Sequence, residues 1–564
     1  MRRRGVPILI VLLLIFVIGI AGVISMYVKK HTPTKKEMDK TEYFGEMSEN
    51  EIPLVFETEI LEDRGLLKDG VPYLPLRVVN SYLNPKYYWA ADEKKIFYAH
   101  PNEVEKVPAN DKSGKVLYEN DQVYLSLDFV KEYTDMDTKL CEAPQRLVVN
   151  YKFDHPIVEA KNEEYVRYRG GIKSEVLTSV KAKDEMWLME EYENWVQVAT
   201  ADGYIGYIPK KAIGSAKDSD REVKYTLEDY TSIQKDFTIN LAWHQVTTKE
   251  ANATLDDTLA SVQGVNVISP TWYTITDNKG NIKSIASKEY VTKAHQRGME
   301  VWGLIDNFSA DISTEKVLAS SSARAKIVKQ LMTSAKRTGL DGINVDFESM
   351  TEEAVPHFLE FLRELSIECR ERGLTLSVDN PPPQNYTKYY NRKEQASVVD
   401  YVVIMGYDEH YNGSDEGSVA SIGFVRQGIE DTLKDVPAEQ VILGVPFYTR
   451  VWELTPVTAS EDQSDQASDE AQSGYTVSSE VVSMSEVDTR VATNAVTLQW
   501  LDDCGQYYAE YEHDGKTYKI WVEDQKSIGE KLDVMKNNHL AGASFWKLGY
   551  EKNTIWDTIA EYMN

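Results

Sequence analysis

The sequence predicts a multidomain protein whose C-terminal part is a (β/α)8 TIM barrel. From about residue 225 onward, apolar runs of strand length alternate with helix-period segments, which is the pattern of a parallel α/β barrel. Between about residues 50 and 215, short β-type runs separated by turn signals predict two small domains. At the N-terminus, residues 6–28 carry no charge, which predicts a transmembrane helix.

The composition is that of a large globular chain, and it excludes some partners. The 564 residues are 42% hydrophobic and 27% charged, so several folded domains are expected. A formal net charge of −28 argues against nucleic acid, because binding to nucleic acid needs clustered cations. Cys141, Cys369 and Cys504 lie in different segments, so we expect isolated thiols and read no disulfide framework or metal spacing.

Residues 1–30 contain the candidate membrane anchor. As a helix, the run from Val6 to Val28 would span roughly 34 Å, enough to cross a hydrocarbon core of about 30 Å. A cleaved signal peptide is the alternative, but its apolar region usually runs about 7–15 residues before an Ala-x-Ala-like site, and none follows here. We therefore predict a single-pass anchor in the cell membrane, with the bulk of the chain extracellular.

A linker and a small α+β module are expected next. Residues 31–49 are polar and lack periodicity, which predicts a tether. Over residues 50–155, the stretch from Tyr73 to Arg77 with Trp89 resembles the wall-associated module named after the N-terminal domain of copper amine oxidases. No His or Cys cluster accompanies it, so we infer neither copper nor oxidase activity. The strand-sized runs of this module are 70–76, 95–98, 123–127 and 146–150.

Residues 160–215 predict a small β-barrel, with Asp202-Gly203 marking a tight hairpin. The spacing of Trp195 and Val198, followed by Asp202-Gly203-x-x-Gly206-Tyr207-Ile208-Pro209, is similar to bacterial SH3-like domains, which implies binding to cell-wall peptides. For Trp195 and Tyr207, ligand contact and simple packing both stay open. The five strand-sized runs are 165–167, 176–177, 186–189, 195–198 and 204–209.

Residues 225–564 supply the barrel. Helix-period segments such as 323–338 and 354–372 separate the strands. A small α+β insertion is predicted at about 453–530, with a low-complexity mobile loop from Ser460 to Gly474 and a hairpin around Asp514-Gly515. The eight predicted strands are 239–243, 265–268, 300–305, 341–348, 374–378, 401–405, 441–445 and 541–546.

The fourth predicted strand carries the candidate chemistry. Side chains alternate along a strand, so Asn344, Asp346 and Glu348 share one face, which would line the mouth at the carboxyl end of the barrel. Carboxylates two residues apart have Cα atoms about 6.6 Å apart, so one can stay protonated beside the other. Such a pair suits protonation of a glycosidic oxygen while positive charge develops at the sugar. A solvated strand end or a structural ion pair is the alternative.

The run from Asp341 to Glu348 resembles the signature of glycoside hydrolase family 18, Asp-x-x-Asp-x-Asp-x-Glu. Members of that family include chitinases and peptidoglycan N-acetylglucosaminidases on a TIM barrel. Asn344 replaces the middle Asp, so we expect Asp346 to lack the carboxylate neighbour that can share its proton in chitinases. The spore-cortex and cell-wall branch often has Asn there, so the resemblance points to the bacterial wall as substrate, with chitin as the alternative.

Other predicted strand ends fit the same resemblance. Met405-Gly406-Tyr407-Asp408 is similar to the family's Met-x-Tyr-Asp motif, whose Tyr407 and Asp408 equivalents hold the substrate's N-acetyl group. Trp546 resembles the tryptophan floor beneath the cleaved sugar, and Tyr448 fits the rim. Core packing is the alternative for each residue alone, but agreement among several strand ends favours a site.

The resemblance implies retaining, substrate-assisted hydrolysis of β-1,4-linked N-acetylglucosamine polymers. Glu348 would protonate the leaving oxygen, Asp346 would orient the substrate's acetamide, and Tyr407 would donate to the acetamide oxygen. We expect no cofactor or metal, since no His-Glu-x-x-His motif or cysteine pair is visible. A non-catalytic wall-binding or carbohydrate-binding protein and a membrane-anchored scaffold are the competing classes.

Overall fold

The computed structural model describes residues 5–457 and 474–563, apart from positions 220, 223, 224, 226, 227 and 229. The low-complexity run predicted from 460 to 474 therefore lies outside the described residues except for Gly474. The chain divides into two compact units, residues 1–89 with 107–227, and residues 90–106 with 228–564.

The helices and strands are numbered in chain order. The helices of the described residues are α1 (Gly5–His31), α2 (Lys40–Phe44), α3 (Leu76–Val78), α4 (Leu127–Glu132), α5 (Leu255–Thr258), α6 (Lys288–Gln296), α7 (Thr314–Ala319), α8 (Ser321–Thr338), α9 (Val355–Arg372), α10 (Arg392–Ala396), α11 (Ile422–Thr432), α12 (Met484–Thr493), α13 (Gln525–Asn537) and α14 (Ile555–Ala560). The strands up to residue 209 are β1 (Glu51–Phe56), β2 (Glu59–Lys68), β3 (Val71–Pro75), β4 (Tyr87–Ala90), β5 (Lys95–Ala99), β6 (Val104–Pro108), β7 (Val116–Glu119), β8 (Gln122–Ser126), β9 (Asp137–Glu142), β10 (Gln145–Asn150), β11 (Ile157–Glu159), β12 (Glu164–Arg167), β13 (Val176–Val180), β14 (Glu185–Glu191), β15 (Trp195–Thr200) and β16 (Ile205–Pro209). The later strands are β17 (Ile239–His244), β18 (Val267–Ile275), β19 (Ile282–Ser284), β20 (Glu300–Asp306), β21 (Gly342–Asp346), β22 (Thr375–Asn380), β23 (Tyr401–Met405), β24 (Val441–Pro446), β25 (Tyr448–Pro456), β26 (Tyr475–Ser483), β27 (Gln499–Leu501), β28 (Gln506–His513), β29 (Lys516–Val522) and β30 (Gly542–Trp546).

Helix α1 has the length and composition of a membrane span. Within Ile10–His31, a window of 18 residues has a mean hydropathy of 2.8, and none of that window is buried. A helix of 27 residues is about 40 Å long, more than a hydrocarbon core requires. A signal sequence near the N-terminus has the same features, so the uncleaved anchor stays a prediction.

The first unit contains two sheets. A seven-stranded sheet has the order β7-β8-β3-β2-β1-β10-β9, and a six-stranded sheet has the order β11-β14-β15-β16-β12-β13. The five runs predicted between residues 160 and 215 fall on β12 to β16, and β11 is a further strand. The resemblances of these parts to a copper amine oxidase N-terminal module and an SH3-like domain stay predictions.

The segment 31–49, expected as a tether, is folded onto the first unit. Asp39 caps α2 by accepting from the backbone N–H groups of Thr41 and Glu42. Met38 and Phe44 are buried in a cluster with side chains of the two sheets. Tyr43 packs against the same cluster, and these apolar side chains dock the segment because each gains burial that a free linker lacks.

The second unit is a closed barrel of eight parallel strands, as the sequence predicts. The order around the barrel is β17, β18, β20, β21, β22, β23, β24 and β30, and β30 pairs with β17 to close the ring. All eight predicted strands are present. Strand β19 extends the sheet as an antiparallel partner of β18.

Alternation along the barrel strands decides which side chains line the interior. On β21, Ile343 and Val345 belong to the large core between strands and helices. Gly342, Asn344 and Asp346 therefore face the inside of the barrel. A second apolar cluster fills the interior below them, and its members include Leu241, Trp243, Val267, Trp302, Leu304, Tyr401, Val403 and Ile442.

The predicted insertion is a five-stranded antiparallel sheet with one described helix. Its order is β26-β25-β29-β28-β27, and it runs from residue 448 to residue 522 with α12 between β26 and β27. His513 pairs with Lys516 across the predicted Asp514-Gly515 turn. Asp514 and Gly515 both have positive φ, of 48° and 76°, as a tight two-residue hairpin requires.

Candidate active site

Acidic side chains from three neighbouring strands meet at the carboxyl end of the barrel. Asp306 at the end of β20 is paired in register with Asp346 at the end of β21. On the other side, Val345 pairs with Val378, which sets Asp379 of β22 beside Asp346. All three residues are buried. The ends of β20, β21 and β22 therefore form an acidic mouth.

Asn344 is the hydrogen-bonding centre below this mouth. Its Oδ1 accepts from Trp243 Nε1 at 3.0 Å and from Ser269 Oγ at 3.1 Å. Its Nδ2 donates to Ser377 Oγ at 3.0 Å and to Asp379 Oδ1 at 2.7 Å. An indole N–H can only donate, so the contact with Trp243 fixes which end of the amide faces Asp379. Asn344 is fully satisfied and acts as a buried support.

Our expectation that Asp346 lacks a carboxylate neighbour is wrong. Position 344 carries an amide, but Asp379 on the next strand lies beside Asp346 instead. The sequence prediction missed Asp306 and Asp379 because it ended β20 one residue too early and β22 two residues too early. The available signal was a polar pair directly after a buried run, Asp379-Asn380 and Asp306-Asn307.

Burial and crowding raise the pKa values of these acids. Asp346 is only 6% exposed, and its pKa lies well above the usual range because burial disfavours the charged form and Asp379, Glu348 and Asp306 add like-charge repulsion. Burial also raises the pKa of Asp379 to about 8, although the hydrogen bond from Asn344 acts in the opposite direction. The acids of the mouth therefore do not all ionise together.

Glu348 lies just beyond β21, which ends at Asp346 and is shorter than the predicted strand. The side chain of Asn307 makes two hydrogen bonds with the backbone of Glu348. The Glu348 N–H donates to Asn307 Oδ1 at 3.0 Å, and Asn307 Nδ2 donates to the Glu348 carbonyl at 2.9 Å. The side chain is exposed at the mouth, yet surrounding protein raises its pKa, with further contributions from Asp408 and Asp306. A raised pKa suits a general acid.

The motif after β23 reaches the same mouth. Tyr448 donates its hydroxyl to Asp408 Oδ1 at 2.6 Å, and Arg450 Nη2 lies 4.0 Å from that oxygen. The ring of Tyr407 packs edge-on against Tyr448, with centroids 6.2 Å apart. Burial raises the pKa of Tyr407 well above its usual value, and Tyr448, Asp346 and Asp379 act in the same direction. Tyr407 is therefore a protonated donor close to the acids.

Trp546 closes the opposite side of the mouth. It is the last residue of β30 and is half-buried, with its ring edge-on to Trp243 at 5.9 Å. Met405 ends β23 and is also half-buried. The structure thus brings every predicted site residue to the carboxyl end of the barrel, namely Asn344, Asp346, Glu348, Met405, Tyr407, Asp408, Tyr448 and Trp546. Their roles in a reaction stay predictions.

Three exposed aromatic side chains lie on loops that follow barrel strands at this end. Phe308 follows β20 and is 56% exposed, Tyr386 follows β22 and is 68% exposed, and Tyr411 follows β23 and is 54% exposed. The sequence analysis did not single them out. Exposed aromatic faces near a polar mouth can stack on sugar rings.

The chain resembles known glycosidases over its barrel. Residues 302–551 match the family model described as glycosyl hydrolases family 18. The uncharacterized glycosylase YvbX of Bacillus subtilis (strain 168) is 24% identical over 298 residues, which are 50% of this chain and 80% of that protein. The cortical fragment-lytic enzyme of the same organism is 24% identical over 292 residues, which are 50% of this chain and 63% of that enzyme.

A solved structure supports the fold. The crystal structure of the Bacillus cereus spore cortex-lytic enzyme SleL superimposes with a TM-score of 0.51 at 21% identity. The superposition covers 62% of this chain and 79% of SleL. The matched family region includes all eight predicted site residues.

Proposed function

We propose that the protein cleaves β-1,4-linked N-acetylglucosamine polymers of bacterial peptidoglycan. Residues 302–551 match the family model of glycosyl hydrolases family 18, so the chain carries a glycosidase domain. One observation carries the proposal: Glu348 stands exposed at the carboxyl end of the barrel, beside the buried acids Asp346 and Asp379. Relatives named for cortical fragments favour peptidoglycan over chitin.

In the proposed mechanism the substrate's acetamide oxygen bonds to the anomeric carbon as the glycosidic bond breaks. Glu348 gives its proton to the leaving oxygen, and its raised pKa favours the protonated form that this step needs. Positive charge then develops on the acetamide nitrogen, and ionised Asp346 stabilises it in a buried site. Water opens the cyclic intermediate at the anomeric carbon and returns a proton to Glu348, so the configuration is retained.

The remaining mouth residues bind the sugar in this proposal. Tyr407 donates to the acetamide oxygen, and Asp408, oriented by the Tyr448 hydroxyl, helps to hold the same N-acetyl group. Trp546 offers its half-open face as a floor for the pyranose ring. Met405, the last residue of β23, supplies an apolar contact to the sugar. These interactions fix the reacting atoms in place, which lowers the entropic part of the barrier.

We further propose that α1 anchors the enzyme in the cell membrane, with the barrel outside. Helix α1 is long and apolar enough to span. The domain formed by residues 160–215 would then contact wall peptides, and the barrel would act on the glycan strands nearby.

The direct test is digestion of purified peptidoglycan and of chitin with the full chain in detergent. We expect new N-acetylglucosamine reducing ends from peptidoglycan. Glu348→Gln should abolish their release while Glu353→Gln, the same change at an exposed residue close by, should not. New muramic acid ends, or full activity of a folded Glu348→Gln protein, would contradict the proposal. Faster release from chitin would shift the substrate to the alternative.

A further inference from the structure

Asp379 is a buried acid to which the proposed mechanism assigns no role, and it lies beside Asp346 on the neighbouring strand β22. We propose that Asp346 and Asp379 hold one proton between them. Asn344 has an amide and cannot share a carboxyl proton with Asp346, so the sharing carboxyl comes from Asp379 on β22. This inference rests on the proposed function and deepens it, because it concerns the same site. Asp379 acts through Asp346 and is a positioning residue.

Asp379 and Asp346 are neighbours across two adjacent strands of the barrel. Asn344 and Asp346 face the barrel interior on β21, and the register sets Asp379 opposite Asp346 on β22. Adjacent strands lie about 4.8 Å apart, so the two carboxyls can share a hydrogen bond. The amide of Asn344 occupies Oδ1 of Asp379, which leaves Oδ2 to carry a proton.

Asp346 has a buried oxygen, Oδ1, that lacks a hydrogen-bond donor among the described residues. A buried carboxylate without a donor is costly, and a neighbouring carboxyl that holds a proton is a donor. The protonated Oδ2 of Asp379 is therefore the group that fits this oxygen.

The charged groups that act on Asp346 and Asp379 in the described part of the chain are other carboxyls. No salt bridge reaches Asp346 or Asp379 in the described part of the chain. The other titratable groups around the pair are Asp306 on β20, Glu348 and Tyr407, and none of them is cationic. Two buried carboxyls in such surroundings cannot both ionise near neutral pH, so the pair keeps a proton.

The arrangement lets one buried site present a negative charge to the substrate. With the proton on Asp379, Asp346 is ionised and faces the acetamide nitrogen as it becomes positive. The shared proton stays within the pair through both steps, while Glu348 alone exchanges a proton with the leaving group and with water. The charge balance of the proposed mechanism is therefore unchanged.

The acid limb of the pH profile for kcat of the full chain tests the pair. In Asp379→Leu the Asp346 carboxylate loses its donor, so its pKa rises and the acid limb should move upward by about one pH unit. In Asp379→Asn the amide keeps a donor in place, so the limb should stay within about half a unit of wild type. If Asp379 were instead an ionised structural acid, both variants would remove a repelling charge and move the limb downward, which would overturn the proposal.

A second measurement needs no activity. The pKa of the Asp379 carboxyl is about 8 in the folded state, whereas an Asp in the unfolded state has a pKa of about 3.9. The protonated carboxyl therefore stabilises the folded state at low pH, and this stabilisation is lost as the pH rises through about 8. The unfolding equilibrium of wild type relative to Asp379→Asn should therefore shift toward the unfolded state by up to tenfold per pH unit between about pH 4 and 8. If the ratio of the two unfolding equilibrium constants, wild type over Asp379→Asn, did not change with pH, Asp379 would be ionised in the folded state. This result does not depend on whether the protein hydrolyses peptidoglycan.

Two further variants complete the design. Asp435→Asn, a surface change of the same kind, should shift neither the acid limb nor the pH dependence of unfolding. The double variant Asn344→Asp with Asp379→Asn exchanges the carboxyl and the amide, and it should restore the acid limb that Asn344→Asp alone disturbs. If the double variant folds but behaves like Asn344→Asp alone, the pair does not share a proton.

Discussion

The two-sided contact between Asn307 and the backbone of Glu348 predicts how much activity depends on placing the general acid. Asn307 binds both the N–H and the carbonyl of Glu348, at 3.0 and 2.9 Å, and its Nδ2 also donates to Thr314 Oγ1 at 2.8 Å. The next residue, Ser349, has φ 51°, a conformation that non-glycine residues rarely adopt. Asn307 therefore makes two of the bonds that hold this turn, and Tyr389 and Tyr390 bond to the backbone of Met350 on its far side.

The magnitude follows from the bonds that Asn307→Ala removes. Each neutral hydrogen bond contributes about 0.5–1.5 kcal/mol, so losing the two bonds to Glu348 costs about 2 kcal/mol of positioning. At 1.4 kcal/mol per decade this corresponds to roughly a 30-fold fall in kcat. We expect KM to change little, because Asn307 is buried and holds the acid rather than the sugar.

The assay is release of reducing ends from peptidoglycan at several substrate concentrations, with Tm measured for each protein. Thr314→Val is the matched control, because it removes only the outer support of Asn307 and keeps both bonds to Glu348. It should lower kcat less than about fivefold. A folded Asn307→Ala protein with kcat within twofold of wild type, or with a loss confined to KM, would refute the reasoning.

Four further outcomes are expected. Asp346→Asn should lower kcat by about 10² or more, because it removes a charge from a buried site, and retention of most activity would point to another stabilising group. The alkaline limb of kcat/KM should move to lower pH in Asp408→Asn, since activity needs protonated Glu348 and Asp408 contributes to its raised pKa; an upward shift would contradict this. Tyr386→Ala should raise KM for long glycan strands about tenfold but not for short oligosaccharides, as stacking predicts, and equal effects on both would exclude an outer binding role. Protease added to intact cells should remove everything beyond α1, and full protection would place the barrel inside.

The sequence by itself determined the barrel and most of the mouth. The eight strands were readable because buried parallel strands are continuous apolar runs, and such runs need no tertiary information. The alternation along residues 342–346 also placed Asn344 and Asp346 on the interior face. The family signature added the roles of Glu348 and Tyr407, which stay predictions.

Tertiary structure alone decided which residues surround Asp346. Asp379 and Asp306 are far from it in the chain, and only the register of β20 and β22 against β21 brings them beside it. Register between parallel strands depends on the packing of whole crossover segments, so a single sequence does not reveal it. The same holds for Asn307, whose contact with Glu348 joins two loops of different strands. Local pattern therefore fixed which residues face the mouth, and the closed sheet fixed their neighbours and with them their protonation.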